Sequence, residues 1–377
     1  MRISEEHEEF RKKIREFAEK EIEPKAKELD EIGKFSFDNI KKLGEMGILG
    51  MVVPKEYGGS GYDTLSYTIA VEEISRVCGS TGITVAAHDS LGVYPIYLFG
   101  NEEQKRKYIP DLASGKKLGS FGLTEPDAGS DAAGTKTTAV LDGDHYVING
   151  TKTFITNASV GETFVITAIT DKSKGYKGIS SFIVEKGMKG FSIGKKENKM
   201  GLRGSDTATL IFEDLRLPKE NLLGKEGEGF KQFMITLDGG RISIGAMALG
   251  IAQGAFDKAL KYAKEREQFG KPIANFQAIQ WKLADMATQL EAARHLLYHA
   301  SELKDKGERF IKESAMAKLY ASEVGRFVTY QAIQIFGGYG YLSEYPVQRY
   351  FRDIKLCEIG EGTSEIQRLV IARELLR

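Results

Sequence analysis

HYVINGTKTFITNASVGETFVITAIT, residues 145–170, is the stretch in which the chain changes its period. β-branched and aromatic residues recur here with hydroxyls between them, and Gly and Asn punctuate the run, as in successive strands. ISSFIVEK (179–186) and TATLIFEDLRL (207–217) read the same way. Asp142-Gly143 and Asn149-Gly150 are expected at tight hairpin turns, where the backbone must tolerate positive φ. Residues 120–227 are therefore read as a β domain.

Working outward, residues 1–119 carry a helical period. Phe10, Ile14 and Phe17 recur among charges as on an amphipathic surface helix. Pro24, Gly33, Gly44, Gly47 and YGGSGYD (57–63) separate further helices, and the nearly charge-free run 81–99 is expected to be a buried helix. On the other side, residues 228–377 return to helical patterning. Long runs cover 230–266, 276–306 and 310–336, GGYGY (337–341) breaks them, and a last helix begins near Thr363. Ser364 and Gln367 there have capping-box spacing. The fold class is α+β, with helices, then a sheet domain, then helices again.

Composition narrows the function. With 53 Lys plus Arg against 53 Asp plus Glu, the net charge is zero, and no global field exists to hold a nucleic acid. Cys78 and Cys357 stand far apart, in no metal-ligand spacing, and two lone thiols suit a reducing compartment. The start, MRISEEHEEFRKKIREF, has no apolar h-region, and no stretch approaches the roughly 20 apolar residues that span a bilayer. The expectation is a cytoplasmic prokaryotic protein without a membrane role, a mature mitochondrial matrix form being the alternative.

Several motifs fail their tests. G-x-G-x-x-G, which a Rossmann nicotinamide site needs, does not occur. Gly129, Gly134 and Lys136 approach a P-loop, but Thr135 stands where the lysine belongs. His295 and His299 share a helix face without an acidic neighbour to His295, so they are read as helix surface or subunit contact, and no metal is expected.

Four segments remain that packing alone explains poorly. FGLTEPDAGSDAAGT (121–135) offers small residues and free N–H groups to which a polar cofactor can come close. TKTFITNAS (151–159) places Phe154 and Thr156 on one strand, a ring to pack and a hydroxyl to donate. EREQFGKPIANFQ (265–277) supplies Arg266 for a pyrophosphate, with Phe269 and Gln277 as a stacking face and an amide. CEIGEGTSEIQR (357–368) sets Glu361 between two glycines just before a helix, a costly choice for packing that suits a carboxylate aimed into a cavity. Taken singly, each has an ordinary reading: an interdomain loop, a hairpin strand, a solvated helix end, an acid in a turn.

Together they resemble the acyl-CoA dehydrogenase family over the whole chain, and most nearly its short-chain (butyryl-CoA) branch. The motifs FGLTEPDAGSDA, LDGGRISIGAMALGIAQGAFD, REQFGKPI, FQAIQWKLADMA, QIFGGYGYLSEYP and EIGEGTSEIQRLVIARELL resemble family signatures in order. The resemblance implies an N-terminal α-helical domain (1–119), a middle β-barrel or sheet domain (120–227) and a C-terminal four-helix bundle (228–377).

It also implies FAD. The isoalloxazine would lie against Phe121, Leu123, Thr124, Gly129, Ser130, Phe154, Ile155 and Thr156, with Thr124 on the pyrimidine side and Thr156 near N5. Phe154 replaces the tryptophan of many relatives. Arg266, Phe269, Gln277, Gln334, Ile335, Phe336, Gly337 and Gly338 would hold the diphosphate and adenosine from a neighbouring subunit, which implies a homo-oligomer, a tetramer built as a dimer of dimers. Thr363, Ser364 and Glu365 would also touch the cofactor.

Ser130, Asp238, Gly239, Gly240, Arg241 and Gly362 would contact the acyl-CoA, whose pocket floor is expected from the helix at 81–92 and from residues 242–249. Glu361 would remove the α-proton while the β-hydride moves to flavin N5, with the Glu361 N–H and a flavin ribityl hydroxyl on the thioester oxygen. Electrons would pass to an electron-transfer flavoprotein. Some branches carry the base just before the arginine of the LDGGR segment; here that residue is Gly240, so Glu361 has no rival. The alternatives are a branched or medium-chain substrate, an acyl-CoA oxidase, and a catalytically silent FAD- and CoA-binding homologue.

Overall fold

Ser4 opens the first helix by accepting the His7 N–H at 3.2 Å, and Glu5, Glu6 and Glu8 meet the positive end of the helix dipole. The computed structural model describes residues 3–377. The N-terminal helices are α1 (Glu5–Phe17), α2 (Glu23–Ile32), α3 (Phe37–Glu45), α4 (Thr64–Val77), α5 (Gly79–Ala87), α6 (Tyr94–Phe99) and α7 (Glu102–Ala113). On α1, Ile14 is buried and Phe10 and Phe17 pack partly covered, as their spacing predicts. The run expected as one buried helix at 81–99 is buried from Gly79 through Val93. It is not continuous, because a π-helical segment, His88–Val93, separates α5 from α6.

His88 ties this segment to the sheet. Its Nδ1 accepts the Gly119 N–H at 2.9 Å, which leaves the proton on Nε2, 3.1 Å from the carbonyls of Leu49 and Leu112. Burial pushes its pKa down to about 4, so the ring is neutral.

The middle strands are β1 (Gly119–Gly122), β2 (Thr138–Asp142), β3 (His145–Thr156), β4 (Thr163–Ile169), β5 (Ile179–Glu185), β6 (Phe191–Lys196), β7 (Thr207–Pro218) and β8 (Leu222–Leu223). They form one sheet in the order β6-β7-β3-β2-β4-β5-β8, with β1 parallel to β4. The β2–β3 hairpin turns at Gly143 and Asp144, one residue later than expected, with only Gly143 at positive φ. Asn149-Gly150 is no hairpin turn. It is a bulge inside β3, where Gly150 has φ +148 and a Cβ would strike Thr137 at 2.4 Å. The same glycine property serves both structures, and the Asn149 amide instead pairs with Asp214 on β7.

The C-terminal helices are α8 (Gly229–Glu265), α9 (Gln277–Asp305), α10 (Ile311–Phe336), α11 (Val347–Asp353) and α12 (Ser364–Leu375). The three long ones agree with the periodic runs to within a residue or two. α10 packs on α8, α9 and α12, and α4 lies against α8, so the helical regions share one apolar core around α8. The expectation that no segment is apolar and long enough to span a membrane needs correction: α8 is, by length and composition. Its apolar window is 78% buried, as befits a central core helix. The capping box expected at Ser364 and Gln367 does not form. Thr363 is the N-cap and accepts the Ile366 N–H at 3.3 Å, which leaves the Gln367 amide free for the preceding turn.

Candidate active site

The four segments singled out above occupy two places in the chain. At the first, the turn before α12 lies against α8 and α10, and the β1 loop meets α8 through Phe121 on Phe233. Glu361 stands there in the turn before α12 with φ +53, a left-handed conformation that a non-glycine residue keeps only when its surroundings enforce it. Gly362 follows at φ +90. Glu361 is half-buried, and its Oε2 is buried with no hydrogen-bond partner. Burial pushes its pKa up to about 7, against the opposing pull of Lys318 and Arg241.

Gly240 on α8 makes room for this carboxylate, since a Cβ there would stand 2.0 Å from Oε2. Beside it, Arg241 is buried and donates to Asp238 at 2.6 Å, while its Nε is unpartnered. The wall behind brings together the two regions expected to floor the pocket. Ser90 of the π segment meets Ser243 of α8 at 3.2 Å, and the Leu91 side chain lies 3.2 Å from the Cβ position of Gly240.

Two buried side chains, one missed in the sequence and one expected there only as a cap, support the turn. Lys318 of α10, 1% exposed, donates to the Gly362 carbonyl. Gln367 of α12 donates to the same oxygen at 2.8 Å and to that of Glu361 at 3.3 Å. The only sequence signal for Lys318 is a lone charge in the small-residue run SAMAKLYAS (314–322).

The loop after β1 is held from below. Lys152 of β3, fully buried, donates to Glu125 at 2.7 Å, to Thr135 and Thr167 at 3.1 Å each, and to the Leu123 carbonyl at 3.3 Å. Glu125 also accepts the N–H groups of Lys136 (2.6 Å) and Thr137 (3.1 Å) and the Thr135 hydroxyl. Although burial alone would raise its pKa, Lys152 and these donors hold Glu125 down to about 2. Glu125 lies inside the quoted motif but carried no role in the reading.

On this foundation the loop presents its surface. Phe121 stacks on Phe233 at 3.9 Å, Leu123 and Thr124 are half-buried, and the Thr124 carbonyl accepts the Thr153 N–H at 2.8 Å. Gly129 and Ser130 are exposed, with open space at the Gly129 Cβ position. Phe154 is 64% exposed at φ +58, Thr156 is half-buried, and Ile155 points into the sheet core. At the α12 N-terminus, Ser364 Oγ is buried without a partner.

The second place is at the far end of α10. Residues 265–277 are no solvated helix end: Glu267–Gln268 and Lys271–Pro272 form a hairpin with Phe269 and Gly270 at positive φ. Phe269 at its tip is 93% exposed, and Gln277 and Gln334 are exposed too. A groove of about 480 Å³ beside it gathers Arg266, Ile335, Phe336, Gly337, Gly338 and Tyr339, with the Arg266 guanidinium 5.4 Å from the centre of the Tyr339 ring. Phe336 lies eighteen residues past Lys318 on α10, about 27 Å at 1.5 Å per residue. A single chain therefore does not bring the Arg266 groove to the Glu361 cleft.

Comparison with known proteins adds a third line of observation. Residues 4–116, 120–215 and 227–376 match the family models described as the Acyl-CoA dehydrogenase N-terminal, middle and C-terminal domains. The chain is 55% identical over 375 residues to the short-chain specific acyl-CoA dehydrogenase of Clostridium acetobutylicum, covering 100% of this chain and 99% of that one. It is similar to butyryl-CoA dehydrogenase from Megasphaera elsdenii, with a TM-score of 0.98, 48% identity and full coverage of both chains. A chain in the solved structure of the electron transferring flavoprotein of Acidaminococcus fermentans matches with a TM-score of 0.99 and 54% identity, covering 100% of this chain and 99% of that one.

Proposed function

The chain belongs to the acyl-CoA dehydrogenase family, and from that membership we propose that it desaturates a short, butyryl-like acyl-CoA at the α,β position with Glu361 as the base. FAD is the family's cofactor, and it supplies the acceptor for the hydride that leaves the β-carbon. The residues present fit it. The β1 loop has open space at Gly129, Phe154 offers an exposed ring in a strained conformation, and Ser364 keeps a buried hydroxyl without a partner.

One observation carries the assignment of the base. Glu361 is half-buried with its Oε2 buried and unpartnered, and its pKa is raised to about 7, where it can take a proton at physiological pH. The α-proton of a thioester is a poor acid, so negative charge developing on the carbonyl oxygen must be met. The N–H of Glu361, presented by its left-handed turn, is the donor this chain offers. Arg241, with its free Nε in the same cleft, is suited to orient the CoA portion.

The 27 Å between the two candidate patches supports a site completed by a second copy, whose Arg266 and Gly337–Gly338 groove would hold the phosphate end of the cofactor. Arg266→Ala is expected to weaken FAD retention about tenfold and to loosen assembly; a fully flavinated, intact variant counts against this arrangement. Docking of an electron-transfer flavoprotein is proposed from the similarity to the Acidaminococcus fermentans structure.

The deciding experiment is an anaerobic titration of the purified protein with acyl-CoAs of increasing length, followed by flavin absorbance. Bleaching best with butyryl-CoA supports the whole reading. Bleaching best with a longer or branched thioester moves the substrate, and no bleaching with any acyl-CoA overturns the proposed reaction.

A further inference from the structure

A lysine buried among alanines is expensive. Lys318 lies on α10 between Ala315, Ala317 and Ala321, all fully buried, and no ion pair joins it to a carboxylate among the described residues. Its one hydrogen bond goes to the Gly362 carbonyl, which already accepts from Gln367 at 2.8 Å. A neutral side chain thus satisfies that oxygen. Burying a cation to repeat the contact adds desolvation cost without satisfying another group. What the cation adds is its field at the neighbouring carboxylate. The backbone there also needs support, because Glu361 has φ +53 and two donors from α10 and α12 converge on the carbonyls of its turn.

We infer that Lys318 and Gln367 are positioning residues for Glu361: both hold the turn at residues 361 and 362 in its left-handed conformation, and the Lys318 ammonium favours the ionised carboxylate. The inference rests on the reading of Glu361 as the base and goes one layer behind it. The charged and titratable groups around the pair are few. Glu361 faces Arg241 from α8, Lys318 from α10 and Tyr67 from α4. Lys318 faces Cys357 and Glu358 from the preceding segment, and Arg241 as well. Arg241 is already engaged by Asp238 at 2.6 Å, and the Cys357 thiol, pushed up to about 12 by burial, is uncharged. Glu358 is held by Arg326 at 3.1 Å and Lys355 at 2.6 Å, so Lys318 is the cation whose field reaches Glu361 without an ion pair of its own. Burial pushes its own pKa down to about 8, and the ammonium remains the major form at neutral pH.

The test is the pH profile of anaerobic flavin bleaching by butyryl-CoA in the holoenzyme, for the wild type, Lys318→Met and Gln367→Met. Loss of the cation should move the acid limb of Lys318→Met up by about one pH unit, so that bleaching below that limb falls about tenfold. Lys318→Arg should return the limb toward its wild-type position. Gln367→Met keeps the cation and loosens the turn, so it should bleach more slowly at every pH with the limb unmoved.

A readout independent of turnover accompanies these. The pH window over which the folded protein loses stability as Glu361 ionises should shift upward in Lys318→Met, and no such shift should appear when Glu361→Gln is added. A folded Lys318→Met holoenzyme with a wild-type limb overturns the inference. If that variant yields no holoenzyme, Gln367→Met decides, and wild-type bleaching by it overturns the clamp. Wild-type bleaching by Glu361→Gln would instead sink the base assignment itself, a separate failure.

Discussion

The chain sets two glutamates near buried lysines and treats them in opposite ways. Lys152 meets Glu125 directly at 2.7 Å, and the Thr135 hydroxyl and two backbone N–H groups fill the rest of the carboxylate's valence. Lys318 is aimed at the carbonyl beside Glu361 and leaves Oε2 of that residue without a partner. The first carboxylate is held down to about 2 and the second pushed up to about 7. A fully satisfied buried pair anchors a loop; a carboxylate denied its partners keeps its affinity for a proton. The difference separates the support of the β1 loop from the group that does chemistry, and it can be attacked from either side.

The largest effect is expected at the unpartnered carboxylate. Glu361→Gln should keep its flavin and bind acyl-CoA, yet bleach roughly a thousandfold more slowly in stopped-flow, within the range for loss of a general base. Gly240→Ala comes next. Its Cβ would stand 2.0 Å from Oε2, so Glu361 must move, and a loss of about a hundredfold in the same assay is expected with the flavin retained. At the paired carboxylate, Lys152→Met leaves Glu125 buried without its cation and should cost about 3–5 kcal/mol in denaturant unfolding. A Lys152→Met protein of undiminished stability would erase the distinction between the two sites.

Much of this was legible in the residues. The helical runs at 230–266, 276–306 and 310–336 repeat every three to four residues over many turns, and such long periods admit one reading. Glu361 stood out because glycines flank it. Local signals that serve two structures were misread. Asn149-Gly150 suits a hairpin turn and a bulge alike, and a cap at Ser364 differs from one at Thr363 by a single residue. EREQFGK lacks alternation because its strands are two residues each, too short to show a period. The roles of Lys318, Gln367 and the Lys152–Glu125 pair were hidden for a different reason. Their meaning depends on partners 27 and 44 positions away or on a turn whose shape no spacing reveals, and a lone lysine in a helix reads as surface until its surroundings are known.

Glu361 is kept unpaired at a cost in stability, while Glu125 is paired for a gain. The folded pKa of Glu125, about 2, lies below its ordinary 4.5, so its contribution is complete above pH 4.5 and is lost as pH falls toward 2. The folded pKa of Glu361, about 7, lies above 4.5, so ionising it costs stability as pH rises from 4.5 to 7, and the full cost persists above that. The most direct measurement is the unfolding free energy of Glu125→Gln and Glu361→Gln at pH 8 and at pH 4. At pH 8 Glu125→Gln should be less stable than the wild type and Glu361→Gln more stable by about 1–3 kcal/mol, with the gain of Glu361→Gln vanishing at pH 4. If Glu361→Gln is destabilised at pH 8 as Glu125→Gln is, the carboxylate has a structural partner after all and the claim fails.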